Sequence, residues 1–543
     1  MKLIYIDPPY NTGKDFIYHD DFRDSISNYL EVTGQIESGR KISSNTEVSG
    51  RFHTDWLNMM YTRLKLARSM LSDDGILFCS IDDIEAQRLR SMLDEIFGEE
   101  NFIAQFAWRT DGNFDNQAKI KICHEYVVMY ARSATEFLHP PVVDPSVPKD
   151  SKLFRPEIRN TIVKNGPKNP ISSIELPAGF PADFVAGVIP MRTDLWPRYK
   201  SDAVVADSKL TNPVVIESGW SSKDLALEFI ANGCKPILDA KGQETSFVIS
   251  KTGSLEVVKK RSDYQSHVIS VLSGFGGTQR ATAQLEEMGI VFPGYPKPVD
   301  LIKYFVQMLG EKTATMMDFF GGSGPLAHAI MAQNANDGGT RRFIIVQLPE
   351  LLDATVESDK LAAKFCDELG KPRNIAEITK ERLRRAGEQL RSEFSDLKGD
   401  TGFRVFKLAS SNIRAWEPDA SNLEASLLTN AEHLVQGRNE QDVLYELLLK
   451  LGLDLCVPIE TKTVAGKSVH SIGGGALIVC LADGVTRDVV EALATGIVDW
   501  HKALAPAVET RVVFKDSGFV DDVAKSNMAA ILNQNGLANV RSL

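Results

Sequence analysis

Apolar and polar residues alternate along much of the chain with the periods of strands and helices. Short continuous apolar runs, typical of strands buried on both faces, occur at residues 2–6, 75–81, 313–317 and 342–347. Apolar positions at helical spacing lie at residues 55–71, 325–333 and 376–394. This alternation predicts a doubly wound α/β fold around a mainly parallel sheet.

The pattern changes three times along the chain, at about residues 132, 289 and 410, and each change predicts a domain boundary. Residues 132–288 carry short mixed runs and are rich in Pro, Gly and Ser over their first part. From about residue 410 a separate pattern begins, with helices predicted at 441–451 and 486–504 and strands at 475–481 and 510–514. We therefore expect four segments, at residues 1–131, 132–288, 289–409 and 410–543.

The first predicted strand ends in a motif that combines a carboxylate, a stiff turn and an aromatic ring. Asp7, Pro8, Pro9 and Tyr10 follow the apolar run directly. Two prolines fix φ and lack N–H groups, so their carbonyls are available as hydrogen-bond acceptors in a rigid turn. Asp7 and the Pro8 carbonyl could together accept both protons of an exocyclic amino group of adenine or cytosine, while Tyr10 stacks on the flipped base. The motif is short, and an ordinary loop is the alternative.

A second candidate site follows the strand predicted at 313–317. The turn from Asp318 to Gly324 reads DFFGGSG, and its glycines allow a close backbone approach to a ligand at the carboxyl end of a strand. It lacks the GxGxxG spacing of dehydrogenases and the GK[ST] ending of P-loop NTPases, so both classes fit poorly. Glu350 follows the next strand and is placed to accept hydrogen bonds from ribose hydroxyls.

Longer segments around these motifs resemble the adenine-N6 DNA methyltransferase subunits of type III restriction-modification systems. The resemblance covers nearly the whole chain and is carried by DPPYNTG (7–13), HTDWLNMMYTRLKLAR (53–68), LSDDGILFCSIDD (71–83), LDEIFGEENFI (93–103), HEYVVMYAR (124–132), FPGYPKPVDLIK (292–303) and FKDSGFVDDVAKSN (514–527). It implies an α/β fold, a permuted Rossmann-like methyltransferase whose catalytic half (1–131) precedes its cofactor-binding half (289–409). A target-recognition domain (132–288) would be inserted between them, and an α+β domain (410–543) would follow for dimerisation and partner docking.

The resemblance also implies S-adenosylmethionine as the cofactor and assigns residues to each ligand. Asp7, Pro8, Pro9 and Tyr10 would hold the adenine. The cofactor would be bound by Lys297, Asp300, Asp318, Phe320, Gly321, Gly322, Gly324 and Glu350. Two alternatives stay open, since Asp318 could instead cap the helix that follows and Phe320 could belong to the core. The implied partners are double-stranded DNA, a second copy of the chain, and a restriction subunit that is a helicase-nuclease.

The net charge of −11 is unexpected for a protein that contacts DNA phosphates. The acidic residues are concentrated in the C-terminal part, because from Glu417 to the end seventeen Asp and Glu stand against ten Lys and Arg. Basic residues concentrate instead in the middle segment, at Lys149, Lys152, Arg155, Arg159, Lys164, Lys168, Lys259, Lys260 and Arg261. This placement favours a DNA-facing middle segment, although a basic stretch is often only a solvated surface.

Cysteine and hydrophobic patterns exclude other classes of protein. The six cysteines are scattered without CxxC spacing, which indicates reduced thiols and neither a disulfide framework nor a zinc site. His124-Glu125 lacks partner ligands at the i, i+4 spacing of a helical zinc site, so no metal is expected. We see no apolar run long enough to span a bilayer and no signal-type start, which predicts a cytoplasmic protein without membrane contact.

Several alternatives remain at the level of sequence. Members of the resembled family usually carry a segment before the DPPY strand, whereas this chain begins almost inside that strand. A binding and assembly subunit with reduced or no catalysis is therefore one alternative. An N4-cytosine methyltransferase is another, because the amino group of cytosine presents the same geometry, and a dehydrogenase is a distant third. DPPY in place of SPPY favours adenine through the family resemblance.

Overall fold

A seven-stranded sheet forms the centre of the first of two compact units, which comprises the described residues up to Gly402, while the second unit begins at Phe403. In this computed structural model the described residues are 1–12, 52–110, 119–148, 150–151, 154, 156–240, 242–260, 266–394, 399–414 and 434–543. Lys149, Lys152, Arg155 and Arg261 of the predicted basic segment, and Gly13 of the DPPYNTG motif, lie outside them.

The amino-terminal part of the first unit follows the predicted alternation of strands and helices. Its elements are β1 (Leu3–Ile6), α1 (Phe52–Met70), β2 (Ile76–Ile81), α2 (Ala86–Phe97), β3 (Phe102–Arg109) and β4 (His124–Ala131). Every residue of β1 and β2 is buried, as their continuous apolar runs require.

An inserted region follows β4 and builds small antiparallel sheets around an apolar core of its own. Its elements are β5 (Glu157–Thr161), β6 (Ser172–Leu176), β7 (Gly187–Ile189), β8 (Arg198–Tyr199), β9 (Ala203–Ala206), β10 (Lys209–Leu210), β11 (Val214–Ser218), α3 (Lys223–Ala231), β12 (Ile237–Leu238), β13 (Glu244–Ile249) and β14 (Leu255–Lys260). The sheet orders are β10-β9-β7, β6-β11-β8 and β12-β13-β14-β5. Phe229 lies at the centre of the core, between Phe180 and Phe247, with ring centroids 5.8 and 5.5 Å away.

The chain then returns to the large sheet. The remaining elements of the first unit are β15 (Val271–Leu272), α4 (Thr278–Glu287), α5 (Val299–Met308), β16 (Thr315–Asp318), α6 (Pro325–Asp337), β17 (Arg342–Ile345), α7 (Lys360–Glu368) and α8 (Ile375–Glu393). The strand β15 pairs in parallel with β3, so the sheet resumes before the segment boundary expected at residue 288.

The strand order of the large sheet is β15-β3-β4-β2-β1-β16-β17. Strands β2, β1, β16 and β17 are parallel, while β4 runs antiparallel to both of its neighbours. In this order β1 and β16 lie side by side although most of the unit separates them in sequence. The fold is therefore a permuted Rossmann-like α/β fold with an inserted domain, as expected, and the carboxyl ends of β1 and β16 meet at one edge.

Helices cover both faces of this sheet. On one face α1 and α2 pack through residues such as Trp56, Leu64 and Leu93, and on the other α5 and α6 pack through Phe305 and Ile330. The alternating burial of β-strand side chains into two cores is the usual consequence of covering a parallel sheet twice. The edge at which the carboxyl ends of β1 and β16 meet thus belongs to a sheet that is covered on both faces.

The second unit is an α+β domain, as expected. It contains α9 (Glu440–Lys450), β18 (Ile459–Val464), β19 (Lys467–Ile472), β20 (Leu477–Cys480), α10 (Arg487–Leu504), β21 (Arg511–Phe514), α11 (Asp522–Gln534) and β22 (Asn539–Ser542), with sheet order β18-β19-β20-β21-β22. Helix α9 packs on one face of this sheet, and α10 and α11 pack on the other. The pairs β20–β21 and β21–β22 are parallel.

None of the helices that the structure describes combines the length and the apolar character needed to cross a membrane.

Candidate active site

The turn after β1 carries Asp7, Pro8, Pro9 and Tyr10 at the carboxyl edge of the large sheet, with β2 on one side and β16 on the other. Trp56 on α1 fixes this turn, because its indole Nε1 donates a hydrogen bond to the Pro9 carbonyl at 2.7 Å. The Pro9 carbonyl is therefore already hydrogen-bonded within the protein. The Pro8 carbonyl stays the predicted acceptor beside Asp7.

The residue after the motif anchors the turn from its other end. Asn11 has φ 62°, in the left-handed region that Asn enters more readily than most residues, and its Nδ2 donates to Glu85 Oε1 at 2.6 Å. Glu85 is fully buried before α2, and the same oxygen lies 2.5 Å from His53 Nδ1 on α1. These contacts tie the turn to both helices on this face of the sheet.

A buried lysine from the segment before α5 contacts the DPPY turn. The Nζ of Lys297 lies 3.0 Å from Asp7 Oδ1 and 3.4 Å from Glu125 Oε2, and the lysine side chain is only 4% exposed. Tyr10 donates from its hydroxyl to Glu125 Oε2 at 2.8 Å, and Lys297 Nζ lies 4.8 Å from the centre of the Tyr10 ring. Lys297 was expected at the cofactor. The structure brings it to the DPPY motif, and its contact with the cofactor stays a prediction.

Burial and mutual charge set the ionisation of this group. Burial raises the pKa of Asp7 above its usual range, and the Glu125 charge adds to this while Lys297 opposes it. Burial lowers the pKa of Lys297, but the Asp7 and Glu125 carboxylates outweigh it and the net shift is upward. The pKa of Tyr10 is raised well above its usual value, first by burial and then by the two carboxylates. At neutral pH Lys297 is therefore charged and Tyr10 is a neutral donor.

The glycine turn lies at the end of β16, next to the DPPY turn. Gly321 approaches the neighbouring strand end so closely that a Cβ added there would lie 2.4 Å from Ile345 Cγ2. Its N–H donates to the Val346 carbonyl at 3.1 Å, and Gly324 has φ +82°, where a side chain would be strained. Gly322 donates its N–H to Gln347 Oε1 at 2.6 Å. The turn is a backbone cradle that requires glycine at positions 321 and 324.

Two residues of helix α8 donate hydrogen bonds to the same turn. The Thr379 hydroxyl donates to the Gly322 carbonyl at 2.6 Å. The guanidinium of Arg382 donates through Nη1 to the Ser323 hydroxyl at 2.5 Å and to the Ser323 carbonyl at 3.2 Å. Arg382 is almost completely buried, and this desolvation lowers its pKa to about 9. Sequence reasoning assigned neither α8 residue to the site.

Asp318 does not cap the helix that follows. The residue before α6 is Gly324, and no side chain caps that helix, so the capping alternative is wrong. Instead Asp318 Oδ1 accepts a hydrogen bond from the Phe320 N–H at 2.9 Å within the turn. Its Oδ2 is buried and has no hydrogen-bond partner in the described part of the chain. Burial raises the pKa of Asp318 to about 8, although the Phe320 N–H acts in the opposite direction.

The remaining predicted residues have simpler surroundings. Phe320 is buried in the core that contains Trp56, which supports the core alternative for its ring. Asp300 lies in the first turn of α5 and pairs with Arg280 at 3.0 Å. Glu350 Oε1 lies 3.4 Å from Gln347 Nε2. Cofactor contacts of all three stay predictions.

The glycine turn fits a cationic nucleoside ligand. A backbone cradle at the end of a parallel strand can accept such a molecule closely, and the buried Asp318 Oδ2 supplies an acceptor that nothing else in the described chain satisfies. S-adenosylmethionine carries both a sulfonium and an amino group. Asp318 and the glycine backbone are the groups that would hold it. Among the described residues, no cluster of His, Cys, Asp and Glu could hold a metal ion.

Glu125 is the functional candidate that sequence reasoning missed. In the sequence Glu125 belongs to the HEYVVMYAR segment and to a weak His124-Glu125 metal pair, and nothing local connects β4 with the DPPY turn. The signal lay in topology: β4 is antiparallel, so its first residues lie at the same edge as the last residues of β1 and β2.

The DPPY turn and the glycine turn, at the ends of adjacent parallel strands, form the arrangement expected of an S-adenosylmethionine-dependent methyltransferase of the permuted Rossmann-like class. Comparison with known proteins agrees. The model of the N6_N4 DNA methylase family matches residues 1–348, so the chain belongs to this family of DNA methyltransferases. S-adenosylmethionine, the methyl donor of the family, is its cofactor.

The resemblance drawn from the motifs is confirmed. The chain is 28% identical to the Mod subunit of the type III restriction-modification enzyme EcoP15I of Escherichia coli, over 96% of this chain and 78% of that protein. It is also 28% identical to the EcoPI Mod subunit of Escherichia phage P1, over the same shares. Among solved structures, it is similar to the PvuII cytosine-N4-specific DNA methyltransferase, with 11% identity, TM-score 0.27, and coverage of 71% of this chain and 86% of that one.

Proposed function

We propose that this DNA methyltransferase modifies the N6 amino group of adenine at a specific site, as the modification and recognition subunit of a type III restriction-modification system. One observation carries the proposal. The DPPY turn and the glycine cradle end neighbouring parallel strands, with Leu3 paired to Met316 and Ile4 to Met317. A base bound at the first turn and a methyl donor bound at the second would therefore be adjacent.

The mechanism follows from the residues at the first turn. Bound S-adenosylmethionine supplies an electrophilic methyl group. Asp7 and the Pro8 carbonyl accept the two amino protons of the flipped adenine and so orient the nitrogen lone pair, while the Tyr10 ring stacks on the base. After the nitrogen has accepted the methyl group it is cationic, and Asp7 takes the surplus proton. No other proton acceptor is required, because Asp7 already faces the reacting nitrogen.

The geometry of the acceptors suits the amino group of either adenine or cytosine. Adenine is favoured through the family resemblance, by the Mod relatives and by the DPPY sequence. The identity of the methylated base is therefore part of the test.

The inserted domain is the proposed site of DNA recognition. In its described part Lys164 and Lys168 are exposed, whereas Lys260 pairs with Glu244 at 2.6 Å and Arg159 with Asp183 at 3.5 Å. The exposed pair supports a phosphate contact better than Arg159, Lys259 and Lys260 do, because each of these three pairs with a carboxylate of the same chain.

The second unit is the proposed site of protein partners. It carries more acidic than basic residues, which suits contact with protein rather than with DNA phosphates. We propose that it supports pairing of two copies of the chain and docking of a restriction subunit, and that the assembly acts in the cytoplasm.

Transfer of labelled methyl from S-adenosylmethionine to unmethylated DNA tests the proposed function, with the modified base identified by mass after digestion. N6-methyladenine that disappears in Asp7→Ala supports the proposal. N4-methylcytosine would replace the adenine assignment, and DNA binding without transfer would support the alternative of a binding and assembly subunit.

A further inference from the structure

Glu125 occupies a place in the base pocket that the mechanism above does not use. It is the second residue of β4 and lies opposite Trp108 of β3. Its Oε2 accepts the Tyr10 hydroxyl at 2.8 Å and lies 3.4 Å from Lys297 Nζ, which in turn lies 3.0 Å from Asp7. A single carboxylate oxygen thus links the ring that would stack on the base to the cation that faces the catalytic carboxylate.

Resting on the proposed function, we propose that Glu125 is a positioning residue of the base pocket: it fixes Tyr10 and Lys297 and leaves the pocket with a surplus negative charge. Asp7 and Glu125 carry two negative charges, and Lys297 carries one positive charge. The surplus matters because the amino nitrogen becomes positive as it accepts the methyl group. A fixed carboxylate close to that nitrogen stabilises the charge as it develops.

Lys297 has the complementary role. Its ammonium favours the ionised form of Asp7, which must accept protons, while Glu125 favours the protonated form. The two residues therefore act on Asp7 in opposite directions. Lys297 is well suited to this, because its near-complete burial keeps water from screening the pair.

Other ionisable groups also face Asp7 and belong in the same balance. Tyr5 of β1, Cys79 of β2 and Asp318 of β16 all interact with the Asp7 charge. Tyr5 and Cys79 have pKa values raised well above their usual ranges by burial, so both are neutral near pH 7. Asp318, with a pKa of about 8, is mostly protonated there as well. Lys297 and Glu125 are left as the charged neighbours that the tests below change.

The test compares pH profiles of methyl transfer in two variants that change opposite charges. Glu125→Gln keeps an acceptor for the Tyr10 hydroxyl but removes a negative charge, so the acidic limb of kcat should move to lower pH and kcat itself should fall roughly tenfold. Lys297→Met removes the positive charge, so the acidic limb should move to higher pH. Glu99→Gln, an exposed position before β3, is the matched control and should leave the profile unchanged.

Binding parameters separate positioning from simple loss of structure. In Glu125→Ala the Tyr10 hydroxyl loses its acceptor, so KM for DNA should rise beyond its value in Glu125→Gln while the thermal midpoint of both variants stays close to that of the wild type. Profiles that do not move, or that move the same way in Glu125→Gln and Lys297→Met, would overturn the proposal.

A second readout does not depend on turnover. Carbodiimide reacts with protonated carboxyl groups, so labelling of Asp7 against pH, measured by peptide mass, reports its ionisation directly. The labelling midpoint should fall in Glu125→Gln and rise in Lys297→Met, and an unchanged midpoint in both would overturn the inference. If the wild type transferred no methyl group, the proposed function would fail, while this labelling would still decide the roles of Glu125 and Lys297.

Discussion

The carboxyl ends of β1 and β16 are neighbours in one sheet, and each presents an aspartate whose pKa is raised by burial. Asp7, at the end of β1, is 24% exposed and has a lysine 3.0 Å away. Asp318, at the end of β16, is almost completely buried, and its Oδ2 has no hydrogen-bond partner in the described chain. Two aspartates near the carboxyl ends of adjacent strands thus differ: Asp7 has a cationic partner, and Asp318 has none among the described residues.

The difference indicates two kinds of ligand. A carboxylate that must accept protons from a neutral amino group needs its own cation to stay ionised, and Lys297 supplies it. A buried carboxylate without a cation is incomplete until a positively charged ligand arrives, and S-adenosylmethionine is such a ligand. This difference supports the proposal that the β1 end binds the base and the β16 end binds the cofactor.

Asp7→Asn should have the largest effect on this division of roles. The amide has the size of the carboxylate, and its oxygen can still accept a hydrogen bond. It is uncharged, however, and cannot take the surplus proton, so methyl transfer should fall by on the order of 10²-fold or more. Single-turnover transfer on DNA, with the protein in excess, measures this loss. Activity within about threefold of wild type, a difference of less than roughly 1 kcal/mol in the barrier, would contradict the role of Asp7.

Gly321→Ala should impair cofactor binding at the β16 end. The added Cβ would meet Ile345 Cγ2 at 2.4 Å and deform the cradle, so the affinity for S-adenosylmethionine should fall by about tenfold or more, equivalent to roughly 1.4 kcal/mol. Calorimetric titration measures the affinity. Gly166→Ala in the inserted domain, where the new Cβ would meet nothing within 4 Å, is the control and should bind normally.

The pH dependence of cofactor affinity tests whether Asp318 binds the cofactor. If ionised Asp318 holds the cationic ligand, binding below its pKa of about 8 must release a proton from Asp318. The affinity for S-adenosylmethionine should therefore rise with pH by up to tenfold per unit and level off above pH 8. The affinity rises with pH because the ligand binds the ionised form of Asp318, and the raised pKa makes this form scarce at low pH. In Asp318→Asn the rise should disappear, whereas an equal rise in this variant would assign the proton to another group.

Trp56→Phe should have the smallest effect and should be confined to the β1 side. It removes the hydrogen bond to the Pro9 carbonyl, which costs about 0.5–1.5 kcal/mol of folding stability before any loss of packing. The KM for DNA should rise while the cofactor affinity stays unchanged. Trp220→Phe removes an equivalent bond, to the Ser172 carbonyl at 2.8 Å in the inserted domain, and should lower stability without this split between the two ligands.

Local patterns predicted the two strand ends because each is continuous in sequence. An apolar run followed by DPPY, and a second followed by DFFGGSG, give strand, turn and residue types together, and both turns lie where they were expected. The same holds for α6, predicted at 325–333 and found at Pro325–Asp337.

The partners of those turns could not be predicted in the same way. Glu125, Trp56 and Arg382 come from a strand and two helices far along the chain, and each makes its contact through tertiary packing. Lys297 was identified as a site residue, but only the folded chain brings it to Asp7. In the second unit the β18–β19 hairpin has mostly polar, exposed residues in its first strand, so no apolar run marked it.

Equilibrium binding of S-adenosylmethionine to Asp7→Asn tests most directly the claim that β1 serves the base and β16 the cofactor. We expect a Kd within about twofold of the wild type, a difference under roughly 0.5 kcal/mol, in the same preparation that has lost methyl transfer. A variant that lost cofactor binding and transfer to the same extent would contradict the division of roles between the two strand ends.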